Sequence, residues 1–183
     1  MSKTRCFCAF LVLIILSRCA PVNQTSTTPT FKPIDLLISN EEMPVGWKSF
    51  EAFSDEYDDI CYLDCAIIQF SPVEEDKAYS EQYIYVYNTI EEAERNYERQ
   101  LIPLQLGTAP SDWSYHSDIA SQSNFACYIH KNQAFPSCTW IAQYGKYLVF
   151  FVTPLLPDRM SLSDLEKVIY NIDSKMKVVA NQG

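Results

Sequence analysis

Two cysteines separated by three residues, Cys61 and Cys65 in Cys-Tyr-Leu-Asp-Cys, are the nearest this chain comes to a redox centre. Thiol–disulfide exchange needs a stabilised thiolate, usually at a helix N-terminus with two residues between the thiols. Here Asp58, Asp59 and Asp64 flank the pair, and nearby negative charge raises a thiol pKa. A structural or solvent-exposed disulfide is therefore the favoured reading. The acidic run Asp55, Glu56, Asp58 and Asp59 offers oxygen ligands for calcium. It lacks the spaced ladder, central Gly and closing Glu of an EF-hand loop, and reads as a solvated turn. The two histidines, His116 and His130, fall on different predicted strands with no Cys, His or carboxylate cluster beside either. With only four glycines there is no phosphate-cradling loop, and no zinc-ligand spacing or nucleophile elbow occurs. The sequence thus assigns no catalytic residue, no cofactor and no metal. The enzymatic alternative is an extracytoplasmic hydrolase with a site assembled in space, or a thiol oxidoreductase using Cys61 and Cys65.

Aromatic residues carry more signal. Tyr83, Tyr85, Tyr87, Trp113, Tyr115, Trp140, Tyr144 and Tyr147 all fall on predicted strands. Sheet packing accounts for most of them, because aromatics suit a half-buried pleated surface. Tyr83, Tyr85 and Tyr87 share one parity of one strand and form the candidate ligand- or partner-binding face, since tyrosine joins apolar area to a polar handle.

The N-terminus concerns location. Met1 to Arg5 is a short basic start, and Cys6 to Leu16 is an apolar run of eleven residues. That is too short to span a bilayer and suits a signal-peptide core. Leu16-Ser17-Arg18-Cys19 follows. Leu16, Ser17 and Cys19 resemble the lipobox of small bacterial lipoproteins, with Arg18 standing where the pattern has Gly, Ala or Ser. The resemblance implies a lipid on Cys19 and membrane attachment through it, with a secreted protein or a retained N-terminal anchor as the alternatives. Residues 1–18 are expected to be the signal peptide, 19–32 a polar tether and 33–183 one globular domain. The sequon Asn23-Gln24-Thr25 in the tether reads as a chance match in a bacterial lipoprotein and as a surface mark in a eukaryotic secreted protein. Without residues 1–18 the chain loses Lys3, Arg5 and Arg18 and no acid, so its formal charge moves from −9 to −12. Such a surface repels phosphate backbones, which argues against nucleic acid as a partner. Of the seven cysteines, Cys61, Cys65, Cys127 and Cys138 lie in the body. An even count in an exported domain suggests two disulfides, and of three connectivities Cys61–Cys65 with Cys127–Cys138 is preferred. Cys127 and Cys138 are equidistant from one predicted turn and can face each other across a hairpin.

These residues need a scaffold. Tyr147 to Val152 is apolar at both parities, which predicts a central strand covered on both faces. Before it, Cys127 to His130 and Cys138 to Tyr144 read as strands, and Gly145-Lys146 as a type II′ hairpin turn. Upstream, a short helical turn near Ser39 precedes predicted strands at Trp47–Phe53, Asp64–Ser71, Glu81–Asn88 and Asp112–Ile119. Thr89 with Glu92 has capping-box spacing ahead of a helix striped by Ile90, Ala93, Tyr97 and Leu101 and ended by Pro103. Ser161 and Ser163 start a second helix striped by Leu162, Leu165, Ile169, Ile172 and Met176. The whole predicts an α+β domain, a largely antiparallel sheet with helices packed against it. The opening Leu36–Trp47, the closing Ile141–Tyr147 and the final helix resemble small uncharacterised bacterial lipoproteins. The strand–helix order is similar to the Mog1/PsbP-like α/β sandwich and to extracytoplasmic sensor domains of bacterial receptor kinases. These resemblances imply a binding or accessory role.

The expected function is therefore a lipid-anchored, non-catalytic binding or accessory domain at the cell envelope, with an envelope ligand or protein of unknown identity as partner. A purely structural envelope component is the third reading. Alkylation separates these readings from the redox one: Cys61, Cys65, Cys127 and Cys138 should all resist labelling in the native protein until it is reduced and unfolded. Ready labelling of native Cys61 or Cys65 would favour the oxidoreductase.

Overall fold

The computed structural model describes residues 31–54, 64–73, 79–129 and 134–180. Seven strands form one antiparallel sheet: β1 (Trp47–Ser49), β2 (Phe53–Ser54), β3 (Cys65–Pro72), β4 (Ser80–Val86), β5 (Gln122–Tyr128), β6 (Ser137–Tyr144) and β7 (Tyr147–Pro154). The spatial order is β1-β3-β4-β7-β6-β5, with β2 also on β3. Two helices complete the fold, α1 (Ile90–Leu104) between β4 and β5, and α2 (Leu162–Ala180) at the end. The α+β class and the antiparallel sheet expected from the sequence are both present.

β7 is central, between β4 and β6, and is buried on both faces as its composition requires. One face of the sheet carries the larger core. There Leu165, Val168, Ile169, Ile172 and Met176 of α2 meet Ile84, Trp140, Tyr144, Val149 and Phe151. Phe151 is fully buried, which contributes roughly 1.5–3 kcal/mol relative to exposure. The opposite face holds a smaller cluster, Tyr97 and Leu104 of α1 against Ala126, Ile141 and Leu148. β6 and β7 join at Gly145, whose φ of 56° is the left-handed value that a two-residue primed turn needs. Gly107, after α1, is required by crowding, because a Cβ there would stand 2.8 Å from the Cys127 carbonyl oxygen.

Cys127 and Cys138 pair directly across β5 and β6 and are joined, with an S–S distance of 2.04 Å and Cα atoms 4.0 Å apart. Cys127 exchanges both of its backbone hydrogen bonds with Thr108 on its other side. The Cys127–Cys138 pair is therefore a non-hydrogen-bonded one, in which facing side chains come closest. Cys65 is disulfide-bonded as well. Its expected partner Cys61, with Cys19, His130, the acidic loop 55–59 and residues 1–30, lies outside the described residues.

Several local expectations are corrected. Asp112–Ile119 is not a strand but an irregular segment lying over the larger core. Side chains of α2 hold its groups: Glu166 accepts from the Ser114 amide and hydroxyl, and Asp173 accepts from the Tyr115 hydroxyl at 2.5 Å. Trp113 stacks on Phe125 with ring centroids 3.7 Å apart. β5 begins at Gln122, five residues before Cys127, because its first residues are polar and lie toward the sheet edge. α1 runs one residue past Pro103, which has no N–H to give the helix ladder, and ends there. Ile90, expected in the buried stripe of α1, is 45% exposed. The Thr89 capping box is half formed: Thr89 accepts from the Glu92 amide at 3.1 Å, but the Glu92 carboxylate reaches the amide of Asn88 instead of Thr89. The run expected as one strand over Trp47–Phe53 is divided into β1 and β2, both paired with β3.

Asp173 is the one buried carboxylate among the described residues, and it accepts from the hydroxyls of Tyr144 on β6 and Tyr115. Replacing it with alanine strands two hydroxyls, one of them fully buried. We expect Asp173→Ala to cost about 3 kcal/mol in urea unfolding. Lys167→Ala, which removes an exposed ion pair to Asp164, should stay within about 0.5 kcal/mol of wild type. Equal effects of the two substitutions would show that the Asp173 cluster does not hold the fold.

Candidate functional site

Alternation along β4 points Ser80, Gln82, Ile84 and Val86 into the larger core and leaves Glu81, Tyr83 and Tyr85 on the opposite face. Tyr87, just past the strand, continues that line, its amide held by the Lys146 carbonyl at 2.9 Å. In register, Tyr83 sits opposite Phe150, Glu81 opposite Val152 and Tyr85 opposite Leu148. α1 packs on this face against β5, β6 and β7, so the sheet surface over β4 is not roofed by it. The result is a trough of about 690 Å³ beside the helix.

Its floor is Tyr83, Tyr85, Phe150 and Val152, and its wall is a second stripe of α1, adjacent to the buried one, formed by Glu92, Arg95, Asn96, Arg99 and Gln100. Past Gln100, Phe150 and Val152, which line both, the trough opens into a second hollow of about 560 Å³. That end is mainly apolar, with Pro103, Leu104, Leu106 and Ile129 beside Tyr128 and Thr139. Leu106 is 88% exposed and Ile129 71%. One end of the groove is thus polar and tyrosine-lined, the other apolar.

The floor is held in place. The Tyr83 hydroxyl donates to Glu81 at 2.6 Å, and Gln69 Nε2 donates to the other oxygen of the same carboxylate at 2.6 Å. The Tyr83 and Tyr85 rings are parallel, 1° apart in plane with centroids at 6.3 Å, while Phe150 meets Tyr85 edge-on at 5.8 Å. Burial, followed by the hydrogen bond and charge of Glu81, pushes the Tyr83 hydroxyl above its ordinary pKa. Tyr85 is raised by burial and then by Glu81. Tyr87 is raised by burial and by Tyr85, with Arg99 opposing. All three are proton donors at neutral pH.

On the wall, Glu92 accepts from the Asn88 amide at 3.2 Å and Asn96 donates to the Glu92 carbonyl at 2.8 Å, which ties both to the start of the helix. Arg95 and Arg99 differ. One turn apart and exposed, neither guanidinium forms a hydrogen bond or an ion pair within 4 Å among the described residues. Arg95 acts on Glu91 only at longer range, and Arg99 likewise on Tyr87.

The trough therefore brings together Tyr83, Tyr85 and Tyr87, as strand parity implied. Cys127 and Cys138 lie on the opposite face, Cys65 is buried on β3 beside Tyr85, and His116 is exposed on the segment over the larger core. Trp140, Tyr144 and Tyr147 are core residues, so packing explains them. The sequence reading missed Arg95 and Arg99, whose spacing of four alongside the apolar stripe of α1 was the available signal. It also missed Phe150 and Val152 as floor, because a strand apolar on both faces does not reveal which face is covered. Among the described residues no group of three His, Cys, Asp or Glu side chains could hold a metal ion, and no helix is long and apolar enough to cross a membrane. No family model, curated protein or solved structure matches this chain.

Tyrosine burial sets an alkaline limit. Seven hydroxyls, those of Tyr83, Tyr85, Tyr87, Tyr97, Tyr115, Tyr144 and Tyr147, are raised in the fold, Tyr97 to about 12 by burial. A raised folded-state pKa stabilises the fold fully below the unfolded value near 10 and is lost as pH rises through the folded value. Unfolding midpoints should therefore be insensitive to these groups up to about pH 10 and fall steeply toward about pH 12, together with the tyrosinate absorbance rise. Ionisation of all twelve tyrosines together at about pH 10 without loss of the fold would contradict this burial.

Proposed function

We propose that this chain is an exported domain, attached to the outer face of a cell membrane through a lipid on Cys19, that binds an envelope ligand in the trough between β4 and α1 without transforming it. The single observation carrying the binding reading is the conjunction in that trough of Tyr83, Tyr85 and Tyr87 with Arg95 and Arg99, which form no ion pair among the described residues. Concave sites with an apolar floor and a few convergent polar groups are where small molecules bind. The trough supports a ligand-binding role over a purely structural one, and the resemblance read from the sequence to Mog1/PsbP-like sandwiches, which no matching family or structure accompanies, supports an accessory role over a catalytic one. The acidic balance of the chain weighs against nucleic acid. Export rests on the basic start, apolar run and lipobox-like Leu16-Ser17-Arg18-Cys19. In this reading the disulfides are structural, as suits a small exported domain.

The test is mass spectrometry of the protein extracted from its own membrane in mild detergent. The denatured mass should begin at Cys19 with an added lipid and two disulfides, and the native mass should carry a non-covalent small molecule that Tyr85→Ala removes. A chain retaining residues 1–18 with free thiols would overturn the export reading. A native mass without a passenger, or one indifferent to Tyr85→Ala, would overturn the trough as the binding site.

A further inference from the structure

We infer that the ligand of this trough is a single-chain fatty carboxylate, with its carboxylate on Arg95 and Arg99 and its acyl chain running along Phe150 and Val152 to Leu106 and Ile129. The inference rests on the trough being the ligand site and adds what occupies it.

Charge is the first argument. The chain holds 23 acids and 14 bases, so a basic side chain has acidic neighbours to spare. Arg95 and Arg99 nonetheless stand one turn apart on the groove wall, in no ion pair among the described residues. Two guanidiniums at that spacing suit one planar anion, which each can meet with paired N–H groups. The acids facing the same space, Glu92 and Glu81, are already engaged by the Asn88 amide and by Tyr83 with Gln69. The Tyr85 and Tyr87 hydroxyls, protonated at neutral pH, supply further donors at this end.

The second argument is the gradient along the groove. The polar hollow continues through Gln100, Phe150 and Val152 into the mainly apolar one at Pro103, Leu106 and Ile129. From Arg95 to Leu104 the helical rise alone covers about 14 Å, a length that calls for an extended ligand. A long ligand charged at one end and apolar along the rest is an amphiphile. A glycan would want polar partners along its whole length, and this far end, though Tyr128 and Thr139 border it, is lined mainly by apolar side chains. An extended peptide would want a free sheet edge, but the floor strands β4 and β7 are interior and hydrogen-bonded on both sides.

The test is calorimetric titration of the mature full-length protein with octanoate, dodecanoate and dodecyltrimethylammonium, each below its micellar concentration. Dodecanoate should bind more tightly than octanoate, by up to roughly fourfold for each added methylene. The cationic amphiphile should bind at least about tenfold more weakly than dodecanoate. The exposed double variant R95Q/R99Q should weaken dodecanoate by about tenfold or more. Leu106→Glu should weaken dodecanoate while leaving octanoate, too short to reach it, within about twofold. Unchanged circular dichroism and urea midpoints in both variants would show that they fold. Dodecanoate that fails to bind, binds no better than the cationic amphiphile, or binds equally to R95Q/R99Q would overturn the assignment. If that happens while the native passenger still depends on Tyr85, the trough remains the binding site for another ligand. If the passenger is indifferent to Tyr85 as well, both readings fall together.

Discussion

The fold depends on burying β7 from both sides. Tyr147, Val149 and Phe151 point into the core beneath α2, and Leu148 points the other way toward α1. A strand with apolar residues at every position is stable only if two layers cover it, so the sheet must carry a helix on each face. The two covers are unequal. α2 runs 19 residues and buries a continuous stripe, whereas α1 runs 15 and buries Ala93, Tyr97 and Leu104. The unequal cover leaves part of the sheet unroofed on the α1 side, and that strip is the trough. The candidate site is thus a consequence of how the core is completed.

A second constraint works on the other face. Asp173 carries a charge-capable group into an apolar layer, and such a group is tolerable only with donors aimed at it. Tyr144 supplies one from β6 and Tyr115 another from the segment after α1. Together with the stacking of Trp113 on Phe125, this explains why residues 112–119 lie across the core edge without joining the sheet. Their anchors are side chains of α2, Glu166 and Asp173, more than fifty residues away in sequence.

That distance marks what the sequence could disclose. The doubly apolar β7, the alternating β4 and the helix starts at Thr89 and Ser161 are local patterns, readable from neighbours within a few residues. The facing of Cys127 and Cys138 is nearly local too, since one hairpin sets it. Asp112–Ile119 failed because its aromatic alternation imitates a strand while its partners lie on a distant helix. Ile90 failed because periodicity fixes a stripe but not which end of it the sheet reaches. The tyrosine row could be read from strand parity. The arginine wall could not, because whether an exposed stripe faces solvent or a groove depends on what lies across from it.

Each feature of the trough has a bland counterpart. Tyrosines suit a half-covered sheet because the ring can rest on apolar neighbours while the hydroxyl reaches water. Arginines on a helix surface are ordinary, and unpaired ones would need no comment in a basic protein. Their conjunction is less easily dismissed in an acidic chain. An uncovered apolar floor gains nothing in stability from the absence of a lid, and two adjacent guanidiniums repel each other by a few tenths of a kcal/mol on a helix. Glu91, one turn before Arg95, relieves that repulsion only at longer range, and folding alone would favour a further acid at position 99 to pair across one turn. An arrangement that leaves both costs standing at one place, along one groove, with protonated hydroxyls beside it, is one in which an apolar and anionic partner removes both at once.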